Sequence, residues 1–370
     1  MNNNLSINEK VELIKSVADG GEIIGEEELI PLFERCEKEK RKPIAYDGFE
    51  PSGRIHIPQG LVRAINVNKM TKAGFKFIIL VADWHAACNH KYGGDLEKIK
   101  IVGEYFIEVW KSCGMDLSNV EFKWVSEEVK DPKYWEIVLN VSINTTLNRI
   151  LRTVDIMGRS EKDILTASQI LYPAMQAADI FYLKADVCQL GLDQRKVNML
   201  AREIGEEIGF WKPIVVSHCM MSGLLPPQVD TKDLSPIERS IAKKMSKSKP
   251  DTAIFMTDSP KEVERKIMQA YCPEGVVEEN PILEYCKYII FEKFDSIEIK
   301  RPEKWGGNLE IGSYEELKKI FLEKMLHPED LKIAIIPLLN KLLENTRKHF
   351  EEDKKASELL KKVESFQVTR

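Results

Sequence analysis

The chain has no apolar run long enough to cross a membrane. Its opening, Met1-Asn2-Asn3-Asn4, lacks the pattern of a signal peptide. It has no Cys-x-x-Cys pair. Its seven cysteines (Cys36, Cys88, Cys113, Cys188, Cys219, Cys272 and Cys286) are scattered. That spacing speaks against a zinc site and a disulfide framework, and for a reducing, cytoplasmic setting. Neither a Gly-x-Gly-x-x-Gly nor a Walker pattern occurs, and no internal repeat is visible. The net charge of −5 does not advertise a nucleic-acid binder, yet the relevant charge is local. Basic clusters stand at 38–42, 243–249 and 300–304. A chain of 370 residues can bury a real core and divide into domains.

What is present centres on residues 43–60. The run Pro43 to Tyr46 predicts a buried strand, breaking into a loop that carries Gly48, Pro51 and Gly53. Pro58 then opens a helix with Leu61, Ala64, Ile65, Val67 and Met70 at helical spacing. Such a unit is either an ordinary β–loop–α element or a nucleotide site, because free N–H groups and the helix dipole face phosphates there. Residues 74–82 form a near-continuous apolar strand of the kind buried in a parallel sheet, ending at Asp83-Trp84-His85.

Helices are expected over 5–40 (with a turn near Gly20), 95–113 and 131–157, with a strand over 120–125. The 131–157 stretch carries more apolar positions than one buried side needs, so it faces either a partner subunit or the core. A helix is expected to start at Pro173. Along it, Tyr172, Gln176 and Asp179 stand at i, i+4 and i+7 on one face, among residues that are nearly all apolar. A buried amide and carboxylate cost several kcal/mol, roughly 2–7, without partners, so the stripe must meet protein or ligand. A strand over 185–190 leads to Gly191, Asp193 and Gln194, then a helix over 194–208. Residues 225–240 read as a long loop ahead of the run Lys243 to Lys249, which is either a solvated basic loop or a lid over a polyphosphate. From residue 255 the pattern turns helical: 258–270, 279–292, 314–325 and 329–366. Trp305, among basic residues and glycines, is either packed or a stacking platform for an unpaired base.

Taken in order, these pieces resemble one family. His56-Ile57-Pro58-Gln59 looks like the His-Ile-Gly-His signature of class I aminoacyl-tRNA synthetases, with proline for the glycine and glutamine for the second histidine. Lys244-Met245-Ser246-Lys247-Ser248 matches the second signature letter for letter. Tyr46 with the series Tyr172, Gln176, Asp179 and Gln194 resembles the tyrosyl-tRNA synthetases of archaeal and eukaryotic type, over about 40–350. The resemblance implies an α/β, Rossmann-like parallel-sheet catalytic domain over 1–254, followed by an all-helical anticodon-binding domain over 255–370. It implies a homodimer formed through about 110–160, and a mobile loop over 225–250. It implies a ligase that joins L-tyrosine to ATP and then to tRNA(Tyr), with Mg²⁺ accompanying ATP, no dedicated metal site and no membrane.

The residue roles are likewise implied. Tyr46 and Asp179 would bracket the substrate phenol, and Tyr172, Gln176 and Gln194 would hold its ammonium. His56 and Gln59 would contact phosphates, while Gly48 and Gly191 would allow close approach of ATP. Asp193 would bind the ribose, and Lys244 and Lys247 the leaving pyrophosphate. Trp305 and Asp330 would meet the anticodon guanine, and Glu50 and His85 would line the pocket. The alternatives are tryptophanyl-tRNA synthetase, which shares the fold, and a non-catalytic RNA-binding relative.

Overall fold

The structure is a computed structural model that describes residues 5–159, 163, 165–226 and 250–366. Among the described residues, strands β1 (Glu22–Ile24), β2 (Ile44–Phe49), β3 (Lys76–Val81), β4 (Val120–Trp124), β5 (Val187–Cys188) and β6 (Ile214–Ser217) form one sheet. Their order is β1-β6-β5-β2-β3-β4. All neighbours are parallel except β1, which runs antiparallel to β6. Before and between the strands lie helices α1 (Ile7–Val17), α2 (Leu29–Lys38), α3 (Arg63–Lys72), α4 (Asp83–Cys88), α5 (Leu96–Ser112), α6 (Val125–Glu128), α7 (Pro132–Ile143), α8 (Leu147–Leu151), α9 (Ala167–Tyr182) and α10 (Arg195–Ile204).

The pleat of the central strands sorts side chains onto two faces. Ala45, Phe77 and Ile79 belong to one core, with α1, α3 and α5. Tyr46, Ile78 and Leu80 belong to the other, with α7, α9 and α10. Tyr46 therefore points to the same side as α9.

C-terminal to the sheet follow α11 (Pro260–Gln269), α12 (Pro281–Tyr285), α13 (Tyr314–Leu322), α14 (Pro328–Glu352) and α15 (Lys354–Ser365). Two short strands, β7 (Ile297–Ile299) and β8 (Leu309–Ile311), form an antiparallel hairpin within this otherwise helical region. The first core runs on without a break from the sheet through Ile254 and Met256 to Ile267, Leu339 and Phe350.

Several elements depart from the sequence expectation. The stretch 5–40 is interrupted by β1, which Gly20 and Gly25 bracket with φ of 70° and 82°; glycine reaches these values at little cost. The stretch 131–157 is three helical pieces. Asn144 ends α7, and the Thr146 side chain caps α8 by accepting from Arg149 N. Residues 329–366 break at Asp353, whose carboxylate caps α15 through Ala356 N at 2.8 Å. Helix α9 starts six residues ahead of Pro173. Thr166 and Gln169 form a capping box there, and the proline sits in the interior. Gly48 lies within β2 rather than in the loop after it.

Candidate active site

The chain runs outward from β2 through β3 to β4, then returns to the other side of β2 with β5 and β6. The order reverses between β2 and β5, and ligands of open α/β sheets bind beyond the carboxyl ends at such a point. A cavity of about 610 Å³ opens there. It is lined by Tyr46, Gly48, His56, Gln59, Tyr172, Gln176, Asp179, Gly191, Asp193 and Gln194, and also by Glu50 and His85. Lys244 and Lys247 lie outside the described residues, as does most of the 225–250 stretch. Trp305 falls in the short turn Glu303–Trp305 between β7 and β8, and Asp330 in the first turn of α14. Arg301 links the loop after Trp305 to the segment that precedes α14, donating to Gly307 O and to Met325 O at 2.8 Å each.

On the β2–α9 side of the cavity the Tyr46 hydroxyl is buried with no protein partner. Burial, aided by surrounding negative charge that includes Asp179, pushes its ionisation well above that of an ordinary phenol. Asp179 Oδ1 accepts from the Tyr134 hydroxyl at 2.8 Å, and Oδ2 lies 3.1 Å from His85 Nε2. Burial pulls His85 down, but the charge and hydrogen bond of Asp179, with the charges of Glu50 and Asp83, together outweigh it and the imidazole ends above its ordinary value. The His85 ring also packs edge-on against Tyr172 at 4.9 Å.

Along α9, the stripe expected to need polar company finds part of it in the protein. The Tyr172 hydroxyl is hydrogen-bonded to Glu50, and burial, followed by that carboxylate's charge, holds the phenol protonated. Gln176 Nε2 donates to Gln194 Oε1, and Gln194 Nε2 donates to Ile156 O, both at 3.0 Å. Gln176 Oε1 is left buried without a partner, an acceptor beside the cavity. A Cβ at Gly191 would stand 2.7 Å from Asp193 Oδ1 and 2.9 Å from Met220 Sδ, so a larger residue there would displace those two side chains. A Cβ at Gly48 would meet protein only at the Tyr46 ring, 3.8 Å away, so packing does not require glycine. What it leaves is room for a ligand to approach the strand backbone. The Gln59 carbonyl accepts from Trp110 Nε1 at 2.9 Å, while Gln59 Oε1 is buried and unpartnered.

A buried cluster that lines the cavity stands outside the sequence expectation. Arg63 is 2% exposed and stands 2.6 Å from Asp47 Oδ2. It also donates to Gln189 Oε1 and approaches His218 Nδ1 at 3.2 Å. Burial pushes Asp47 up to about 7, with Arg63 pulling the other way. Burial, then the Arg63 charge, pushes His218 well down, so its ring is neutral. Position 63 shares a helix face with Val67 and Met70, so a charge on an apolar stripe was the available signal. Among the described residues no cluster of three or more His, Cys, Asp or Glu side chains could hold a metal ion.

The family described as tRNA synthetases class I (W and Y) matches residues 38–344. An Arabidopsis thaliana protein named tyrosine–tRNA ligase 1, cytoplasmic, is 50% identical over 367 residues, covering 98% of this chain and 90% of that one. The Pyrococcus horikoshii tyrosyl-tRNA synthetase, solved with L-tyrosine, superposes with a TM-score of 0.87 at 35% identity, over 96% of this chain and 100% of the other. The Leishmania major tyrosyl-tRNA synthetase, solved with tyrosinol, gives a TM-score of 0.86 at 43% identity. There the match covers 98% of this chain but spans only 61% of the longer Leishmania chain. With His56 and Gln59 of the first signature gathered beside Tyr46, Gln176 and Asp179 at the switch point of the sheet, and with these likenesses over nearly its full length, the chain belongs to the class I tRNA synthetases, on their tyrosyl branch.

Proposed function

We propose that this chain is a tyrosine–tRNA ligase. It activates L-tyrosine with ATP to tyrosyl-adenylate and transfers the tyrosyl group to the 3′-terminal adenosine of tRNA(Tyr). The observation that carries this reading is the pairing of an orphaned buried hydroxyl, Tyr46, with the anchored carboxylate of Asp179 on one side of the cavity. A phenol oxygen accepts from the first and donates to the second, which satisfies all three groups. An indole N–H only donates, so tryptophan would leave the Tyr46 hydroxyl without a partner.

In the first step the tyrosine carboxylate attacks the α-phosphate of ATP and pyrophosphate leaves. In the second the tRNA ribose hydroxyl attacks the acyl carbon. Neither step needs a protein nucleophile, so the protein's contribution is positioning and charge stabilisation. Gln176, through its free amide oxygen, holds the substrate ammonium with Tyr172 and Gln194. Gly48 and Gly191 admit ATP to the backbone, Asp193 takes the ribose, and His56 and Gln59 face the phosphates. Lys244 and Lys247 take the pyrophosphate charge. Mg²⁺ enters with ATP as part of that substrate. Residues 1–254 carry this chemistry, while 255–370 read the anticodon through Trp305 and Asp330.

The chain works as a homodimer in the cytoplasm. In support, α7 and α8 expose Trp135 at 37%, Leu139 at 58%, Ile143 at 78% and Leu147 at 58%. All seven cysteines are free thiols, as in a reducing compartment. The test is ATP–pyrophosphate exchange driven by tyrosine, tryptophan or phenylalanine. Exchange is expected with tyrosine. Equal rates with tryptophan would overturn the reading.

A further inference from the structure

Residues 253–258 run beside the signature segment. Ile57 N donates to Ile254 O at 2.8 Å, Met256 N donates to Ile55 O at 2.9 Å, and His56 lies opposite Phe255 in an antiparallel bridge. The backbone that presents His56 to the cavity is thus held by a neighbouring strand-like segment.

That segment is itself fixed by one buried carboxylate. Asp258 is 4% exposed, and its Oδ2 accepts from Phe255 N at 3.0 Å and from Lys266 Nζ at 2.6 Å. Its Oδ1 lies 3.5 Å from the Arg54 guanidinium, two residues before His56. Lys266, equally buried, gives another proton to Ala253 O at 2.9 Å, so it grips both ends of the segment. The Phe255 ring lies 4.1 Å from the Arg54 guanidinium and 4.9 Å from the Lys266 ammonium.

Three C-terminal helices converge on this point. α11 supplies Lys266. From α14, Arg347 donates to Asp258 O at 3.3 Å, and from α15, Glu364 stands 3.4 Å from Arg54. Stability alone does not ask for such a cluster, because a well-packed apolar pair of similar volume does as well as a buried ion pair. What the apolar pair cannot supply is an acceptor for Phe255 N, and with it a fixed register between residues 253–258 and His56.

We infer that Asp258 is a positioning residue for the phosphate-facing His56, acting through the Phe255 backbone and the Arg54 guanidinium. It touches no substrate, and the inference rests on the ligase reading of the cavity. Through Asp258 the C-terminal helices set where the first signature sits.

Two double variants test this. Asp258→Leu/Lys266→Met removes both charges together with the acceptor. Asp258→Asn/Lys266→Met removes both charges and keeps an amide oxygen for Phe255 N. Each is compared with wild type in pyrophosphate exchange at varied ATP and varied tyrosine, in calorimetric binding of tyrosine alone, and in a thermal melt. The leucine double should lose about 10–100-fold in kcat/KM for ATP, the scale of a misplaced contact group, with tyrosine affinity unchanged. The asparagine double should stay within about threefold of wild type, because its amide oxygen keeps an acceptor for Phe255 N and with it the register. The inference falls if tyrosine affinity drops in step with ATP use, or if the two doubles behave alike. Tyrosine-driven exchange by the wild type is read separately, so the ligase reading stands or falls on its own.

Discussion

The Tyr134 hydroxyl donates to Asp179 Oδ1 at 2.8 Å, so the carboxylate proposed to meet a substrate phenol is already held from the protein side. Its other oxygen faces His85 Nε2 at 3.1 Å. A carboxylate accepts about four hydrogen bonds, so with two neighbours in place it keeps capacity for a substrate phenol. Anchored in this way, Asp179 cannot swing aside when the ligand lacks a phenol oxygen. On the proposed pose its desolvation then goes uncompensated, and that penalty would discriminate between ring types.

Phenylalanine fits any pocket shaped for tyrosine, so size cannot exclude it. Asp179→Ala should therefore damage tyrosine use far more than phenylalanine use. The ratio of the two kcat/KM values should narrow by about tenfold or more, from the loss of a hydrogen bond to a charged group. Tyr46→Phe removes one of two partners and should narrow the ratio less. Pyrophosphate exchange with both amino acids measures this. A wild-type ratio in Asp179→Ala would show that Asp179 does not read the phenol.

Tyr134 was not singled out in the sequence, yet it holds Asp179 in place. Tyr134→Phe keeps the ring and its packing against Trp135 and Tyr182. Only the donor is lost. The expected result is a rise in the tyrosine KM of about 5- to 20-fold with ATP parameters unchanged, in line with about 1–2 kcal/mol for one bond to a charged acceptor. Equal losses for tyrosine and ATP would point to general disturbance of α7 instead.

The legible parts of the candidate site rest on two signals: polar residues in company that could not be wet, and residues just past the end of a strand. Tyr172, Gln176 and Asp179 stood out because the positions between them and just after Asp179 are apolar. Gly191 and Asp193 stood out because they follow a short strand. Glu128 was not legible because its neighbours Glu127 and Lys130 suggest a solvated face, whereas Arg63 carries its signal only as one charge on the apolar stripe with Val67 and Met70. Both are buried through contacts with residues distant in sequence. The start of α9 was misplaced because Pro173 is a louder local signal than the capping pair Thr166 and Gln169. β1 was missed because three residues between two helices carry too little pattern, and its pairing with β6 spans most of the catalytic region.

The exposed face of α7 and α8 gives a test of assembly. Leu139 and Ile143 stand at i and i+4, so they share one stripe. Replacing both by glutamate puts two charges where a partner would bury them. Leu139→Glu/Ile143→Glu should shift the chain from dimer to monomer in light scattering. Its melting temperature at high dilution should stay close to that of wild type, because neither side chain is part of the monomer's core. A dimer that survives both substitutions would place the interface elsewhere.

Glu128 closes α6 with both carboxyl oxygens buried and without partners. The charged groups around it are Asp179 on α9, Asp83 at the start of α4 and Lys123 on β4. The tyrosines nearby are Tyr46 on β2, Tyr134 on α7 and Tyr182 on α9. Lys123 leans towards Glu121 at 4.0 Å and does not pair with Glu128. Burial, followed by the negative charge of Asp179, pushes Glu128 from the ordinary 4.5 up to about 9. Between those values the folded chain holds a proton that the unfolded chain has released. Stability must therefore fall as pH rises through that window, by at most about 1.4 kcal/mol per pH unit from this group. Glu128→Gln keeps the shape and cannot ionise. Its melting temperature should match wild type near the acid edge of the window and exceed it increasingly towards the alkaline edge. Urea or thermal melts of the two proteins at several pH values measure the gap. A gap that stays constant with pH would mean that Glu128 is already ionised in the folded chain, with a partner not evident among the described residues.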